Sequence, residues 1–114
     1  MKSAAHIASA SHDQADHLYA RFFSGLADET RMRIVRSLLN GPLRVGEIVD
    51  ELGMSQSRIS NHLACLRWCG FVRVERQGKY MLYALTDRDI AKLIMLAQRM
   101  VSRNAEHIAQ CTQL

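Results

Sequence analysis

Three cysteines carry the sharpest chemistry in this sequence: Cys65, Cys69 and Cys111. Cys65 and Cys69 are four residues apart, so on a helix they stack on one face and both sulfurs can bind one ion. Thiolate is a soft donor, and three thiolates suit Cd(II), Pb(II) or Hg(II) better than Mg(II), Ca(II) or Mn(II). Zn(II) would call for a fourth ligand, which His107, four residues before Cys111, or a water or carboxylate could supply. By itself a Cys-x-x-x-Cys pair also reads as ordinary helix packing, because free cysteine behaves as a small apolar residue. A disulfide within one helical turn is disfavoured by geometry.

A second group is polar and basic. Ser55, Gln56, Ser57, Arg58, Ser60, Asn61 and His62 lead directly into the cysteine pair, in the stretch SQSRISNHLACLRWCG from Ser55 to Gly70. Ser57, Ser60 and Asn61 are small polar side chains able to reach base edges, and Arg58 shares a flank with Cys65 and Cys69. Arg73, Arg76, Lys79 and Tyr80 follow at a turn. Their charges suit phosphate, which sets affinity and position but not sequence. All of these residues are candidate DNA contacts; the plainer reading of the turn is a solvated one that happens to be basic.

The elements that must position these groups can be read from spacing. Ile59, Leu63 and Leu66 recur at helical intervals and give Ser55–Gly70 one buried stripe. Ser55 is a suitable N-cap, and Gly70 suits the left-handed position after a helix end. Before it, a short helix over about Arg44 to Leu52 turns Val45, Ile48, Val49 and Leu52 inward. Only Gly53 and Met54 separate this helix from Ser55, a helix-turn-helix signature. After Gly70 the period changes to two, through Phe71, Val72 and Val74 and then Tyr80, Leu82, Tyr83 and Leu85. This predicts a β-hairpin with Gly78 in its turn and a cationic tip, a wing beside the reading helix.

The flanking elements are helical. Ser11 and Gln14 resemble a capping box ahead of a helix through Leu18, Phe22 and Phe23. Asp28 caps the next helix, with Ile34, Val35, Leu38 and Leu39 apolar and Asn40-Gly41-Pro42 as the stop. Thr86 is expected to cap the last helix, with Asp87 and Asp89 near its positive end. Ile90, Leu93, Ile94, Leu96, Ala97, Met100 and Val101 make that helix apolar on more than one face, so one face should meet a partner. The expected architecture is mainly α with a β-hairpin wing (α+β). It is a winged helix-turn-helix that forms a homodimer through its first and last helices. Residues 1–10 are expected to be a flexible segment, and residues 11–114 a single DNA-binding and dimerisation domain. A dimer presents two reading helices, as a palindromic operator requires.

Totals agree. The chain has 114 residues, 48% of them hydrophobic, and a net charge of +4. That is enough for one packed domain and fits a nucleic-acid partner. No apolar run is long enough to cross a bilayer, and His6, Ser9, Ser11, His12 and Asp13 interrupt any signal-peptide core. A cytoplasmic location is expected, where cysteines are free thiols or ligands. Catalysis is not expected: there is no glycine-rich anion cradle and little chain left for a substrate cleft. His6, His12, Asp13, Asp16 and His17 read as a solvated helix end more readily than as a metal cluster. Trp68 is expected to pack in the core by default, or else under the wing or against the dimer partner, and Arg31 and Arg33 read either as phosphate contacts or as solvated.

The runs LADETRMRIVRSLL, VGEIVDELGMSQSRISNHLACLRWCGFV and QGKYMLYAL together resemble the ArsR/SmtB family of winged-helix repressors, over nearly everything from Phe22 to Leu93. The resemblance implies a dimeric repressor of a resistance or homeostasis operon that releases DNA when an inducer, usually a metal ion, binds. One family site uses Cys-x-Cys before the turn, where this chain has Leu43-Arg44-Val45-Gly46-Glu47. Another uses Asp and His on the last helix, and here Thr86-Asp87-Arg88-Asp89 and Met100 to Arg103 offer no match. A third, in the cadmium- and lead-responsive CmtR branch, has NHLxCLRxCG and a later cysteine. Asn61 to Gly70 and Cys111 match that pattern. The resemblance implies that the third cysteine comes from the other subunit.

The expected function is a repressor that binds a palindromic operator and leaves it when Cd(II) or Pb(II), with Hg(II) or Zn(II) as further candidates, binds Cys65, Cys69 and Cys111. Expected partners are operator DNA, a second copy and the ion, with no membrane. The alternatives are a thiol redox or persulfide switch on the same fold, and a DNA-binding dimer without inducer. A Cys/His enzyme and a purely structural dimer are the readings from other classes.

Overall fold

The computed structural model describes residues 12–111. The expectations for residues 1–10 and for Ser11 as a cap lie outside them. Helix α1 spans His12–Ser24, α2 spans Glu29–Ser37, and a single 3-10 turn, Leu38–Asn40, continues α2. Strand β1 is Leu43–Arg44, α3 is Val45–Leu52 and α4 is Gln56–Trp68. Strands β2 (Val72–Gln77) and β3 (Tyr80–Leu85) precede the last helix, α5, at Arg88–Gln110.

Local chemistry sets most boundaries. Asp28 caps α2 by accepting the Arg31 N–H at 2.9 Å. Gly53 takes φ 67° after α3, which is why the turn into α4 is so short. Ser55 caps α4 by accepting the Arg58 N–H at 3.3 Å. The wing is an antiparallel pair running from Val72↔Leu85 to Gln77↔Tyr80, closed by Gly78 at φ 62° and Lys79. β1 adds to the other edge of β3, giving the order β1-β3-β2. Leu43 faces Tyr83 there, and Arg44 faces Leu82.

The helical stripes meet in one core. Ile34 and Val35 from α2, Leu38 from the 3-10 turn, Ile48 from α3, Ile59, Leu63 and Leu66 from α4, and Ile94 from α5 are buried around Phe71 and Val72. Burial of this set is the main stabilising term and fixes α4 relative to the wing. At the edge, Phe22 of α1 packs on Phe71 with ring centroids 4.8 Å apart. This is the expected winged helix-turn-helix.

Three details depart from expectation. Asp87, not Thr86, caps α5, accepting the N–H groups of Asp89 and Ile90 at 2.9 and 3.1 Å. Thr86 instead donates its hydroxyl to the Gly70 carbonyl at 2.7 Å, tying the hairpin's two ends together. Trp68 is not in the core: it is 92% exposed, because it falls on the face of α4 opposite the core stripe. α3 starts at Val45, since Arg44 is held in β1. The last helix runs on to Gln110 and bends at Asn104, whose side-chain amide donates to the Met100 carbonyl at 2.9 Å. Among the described residues no helix is long and apolar enough to cross a membrane.

Candidate nucleic-acid interface and thiol site

α4 presents its polar residues as the stripe pattern demands. With Ile59, Leu63 and Leu66 inward, Gln56, Ser57, Arg58, Ser60 and Asn61 are exposed. Ser55 is exposed too, but its hydroxyl is engaged as the cap and lies 3.4 Å from Ser57 Oγ. His62 stands apart from this face. It is partly buried, with Nδ1 3.9 Å from Asp28 Oδ2 at the start of α2. The backbone N–H of Arg31 holds the Asp28 carboxyl below its ordinary range; burial opposes this, and the nearby charges of Arg31 and His62 add smaller lowering effects.

The wing's cations are differently employed. Arg73 pairs with Glu75 at 3.0 Å, both half-exposed. Arg76 Nε donates to the Gly78 carbonyl at 3.2 Å and so closes the turn. Lys79 Nζ lies 5.5 Å from the centre of the Tyr80 ring. The same ring carries a second cation that spacing did not single out: Arg44, with Cζ 4.5 Å from the centroid. The signal for Arg44 was faint, a Glu three residues on; its approach to Tyr80 depends on strand register. Arg31 and Arg33 hold backbone instead of facing outward as free cations. Arg31 donates to the carbonyls of Gly25 and Ser24 at 2.8 and 3.3 Å, and Arg33 to that of Leu52 at 3.3 Å.

The thiols divide into a pair and a single. Cys65 is half-buried on the flank of α4, and Cys69, its C-cap, is exposed. Cys69 lies under the end of α1, where a Cβ placed on Gly25 would stand 3.4 Å from Sγ. Burial pushes the Cys69 thiol up, and the neighbouring Cys65 adds to that; Arg31 and Arg21 pull the other way. Two adjacent sulfurs on one helix flank are a donor set that a soft cation would satisfy. Cys111 is exposed at the end of α5, one turn beyond the exposed His107. Within one chain the described residues hold no group of three or more His, Cys, Asp or Glu placed to bind a metal ion. Of the N-terminal His6, His12, Asp13, Asp16 and His17, the described side chains are Asp16 and His17, both exposed; the other three lie outside them.

Comparison with known proteins agrees with the fold. The family model "bacterial regulatory protein, arsR family" matches residues 28–74. The chain is 41% identical over 95 residues to a probable mercury resistance operon repressor of Streptomyces lividans, covering 83% of this chain and 76% of that one. The solution structure of the cadmium metal-sensor CmtR from Mycobacterium tuberculosis superposes with a TM-score of 0.59 at 43% identity, covering 65% of this chain and 76% of that one. The homodimeric winged helix-turn-helix DNA-binding domain Mb0332 of Mycobacterium bovis superposes with a TM-score of 0.76 at 29% identity, covering 88% and 94%.

Proposed function

The chain belongs to the ArsR family of bacterial regulatory proteins, and on that premise we propose that it is a metal-responsive repressor induced through thiols on its reading helix. The coarse function follows from membership: it is a DNA-binding transcriptional regulator with a winged helix-turn-helix, not an enzyme. The finer reading is ours. The protein binds a palindromic operator as a homodimer and releases it when Cd(II) or Pb(II) binds, with Hg(II) and Zn(II) as further candidates.

One observation carries this reading. α4 bears both the exposed polar face and, on its flank, the Cys65–Cys69 pair beneath the end of α1. Those two residues would hold the ion, with Cys111 of a second copy as third donor and His107 or water as a fourth for zinc. The relatives support a metal as inducer, since their names include a mercury resistance repressor and a cadmium sensor. The ion supplies strong bonds to thiolate, and these cross-link α4 to a tail. α4 cannot then keep the spacing that two half-sites demand. The coupling this requires is modest, ~1–3 kcal/mol.

The test is a Cd(II) titration of the dimer, read by sulfur-to-metal charge-transfer absorption and by anisotropy of labelled operator DNA. Absorption should reach the value for three thiolates per ion as the DNA dissociates. Cys65→Ser and Cys69→Ser should keep operator affinity and lose release. Serine variants that release at the same metal concentration would sink the thiol site. Release by oxidant or persulfide but not by Cd(II) would favour the redox switch, and release by neither a dimer without inducer.

A further inference from the structure

The side chain of Arg44 is oriented from two sides. Its Nε lies 3.3 Å from Glu47 Oε1, and its Cζ sits 4.5 Å from the centroid of the Tyr80 ring. Both supports are themselves fixed. The backbone N–H of Arg44 donates to the same Glu47 oxygen at 2.9 Å at the start of α3. Tyr80 is placed by its pairing with Gln77 across the wing turn. The arrangement therefore joins two elements, the first helix of the helix-turn-helix and the wing, through one guanidinium. Neither support covers it: the side chain of Arg44 is 44% exposed and Tyr80 is 46% exposed. Among the described residues its terminal nitrogens, Nη1 and Nη2, have no hydrogen-bond or ion-pair partner.

A guanidinium with Nε occupied and one face stacked on a ring presents its remaining N–H groups as a pre-oriented fork. That fork matches two oxygens of a phosphate. An exposed ion pair of this kind adds little to folding stability, so stability does not account for holding it so closely. The first helix of a helix-turn-helix crosses the DNA backbone, which puts phosphate within its reach.

We propose that Arg44 is a DNA-backbone clamp, its fork aimed by Glu47 and by the Tyr80 ring at one phosphate of the bound duplex. Tyr80 then acts as the platform for the cation and not through its hydroxyl. The inference rests on the DNA-binding reading above and adds to it a phosphate contact shared by helix and wing.

Anisotropy with two labelled duplexes tests this, one drawn from the DNA upstream of the gene and one scrambled, each measured across a salt series. Arg44→Gln keeps the backbone amide that caps α3, so the fold is retained. It should lower low-salt affinity about tenfold on both duplexes and make the plot of log K against log salt shallower by about one unit. Tyr80→Phe should match the wild type. Tyr80→Leu should weaken binding while keeping the wild-type slope, because the charge remains. A wild-type slope in Arg44→Gln, or a loss confined to the upstream duplex, overturns the clamp. Tyr80→Leu binding as the wild type does, or Tyr80→Phe losing as much as Tyr80→Leu, overturns the platform and with it the proposal. A wild-type protein that binds neither duplex overturns the DNA reading itself, and the clamp falls with it.

Discussion

At Gly25 a single methyl group is decisive. A Cβ there would stand 2.7 Å from Phe71 Cε2 and 3.3 Å from the Phe22 carbonyl oxygen, between a fully buried ring and backbone. Gly25→Ala should therefore destabilise the fold by about 1–3 kcal/mol in urea unfolding. Asp28 gives a pH dependence whose sign follows from its lowered carboxyl. The unfolded chain regains the ordinary value of 3.8, so the folded state binds fewer protons near that pH. The stabilisation is complete above 3.8 and is lost as pH falls through the lower folded value. Thermal unfolding on acidification should show this loss, and Asp28→Asn, still able to cap α2, should flatten it. Residue types told which side chains could do chemistry, but not where their ends point. His62 and Arg31 read as outward groups in sequence. In the fold they face Asp28 and the end of α1, because α1 and α2 close over that side of α4.

Element by element, periodicity was a good guide and boundaries were not. The stripe Ile59, Leu63 and Leu66 is buried as spacing required. Thr86 and Asp87 are both competent caps, and only the path of the chain after β3 puts the Asp87 carboxylate over the free amides of α5. Asp87→Ala should thus cost about 1 kcal/mol in urea unfolding. Thr86→Val should instead loosen the junction to Gly70, leaving the helix cap intact; hydrogen exchange at Asp89 and Ile90 distinguishes the two. β1 has two residues, too few to show a period, and it exists because β3 offers a free edge.

For the molecule as a whole, most of the exposed large apolar side chains outside Trp68 and the wing lie on the first and last helices. Leu18, Tyr19, Phe22 and Phe23 on α1, and Met95, Leu96, Met100 and Val101 on α5, remain at least about a third exposed although the core is complete without them. Surface of that kind marks an association site, in keeping with a homodimer through the first and last helices. Leu96→Glu and Met100→Glu should give monomers by size exclusion with light scattering, with correct circular dichroism and weakened operator binding. Dimers that persist in both variants would move the interface elsewhere.

What the sequence determined by itself was the helices, the hairpin and the outward face of the reading helix, because apolar period and turn residues act locally and survive without neighbours. It also placed Cys65 and Cys69 together, since four residues on a helix are adjacent whatever surrounds them. Tertiary structure alone decided which cations are spent on backbone carbonyls and which stay exposed. It also decided that Arg44 meets Tyr80, and that Gly25 lies against Cys69. Arg33 with Leu52, Arg44 with Tyr80 and Gly25 with Cys69 are pairs distant in the chain. Their geometry is set by how α1, β1 and the wing pack around one core, a long-range result that no local pattern encodes.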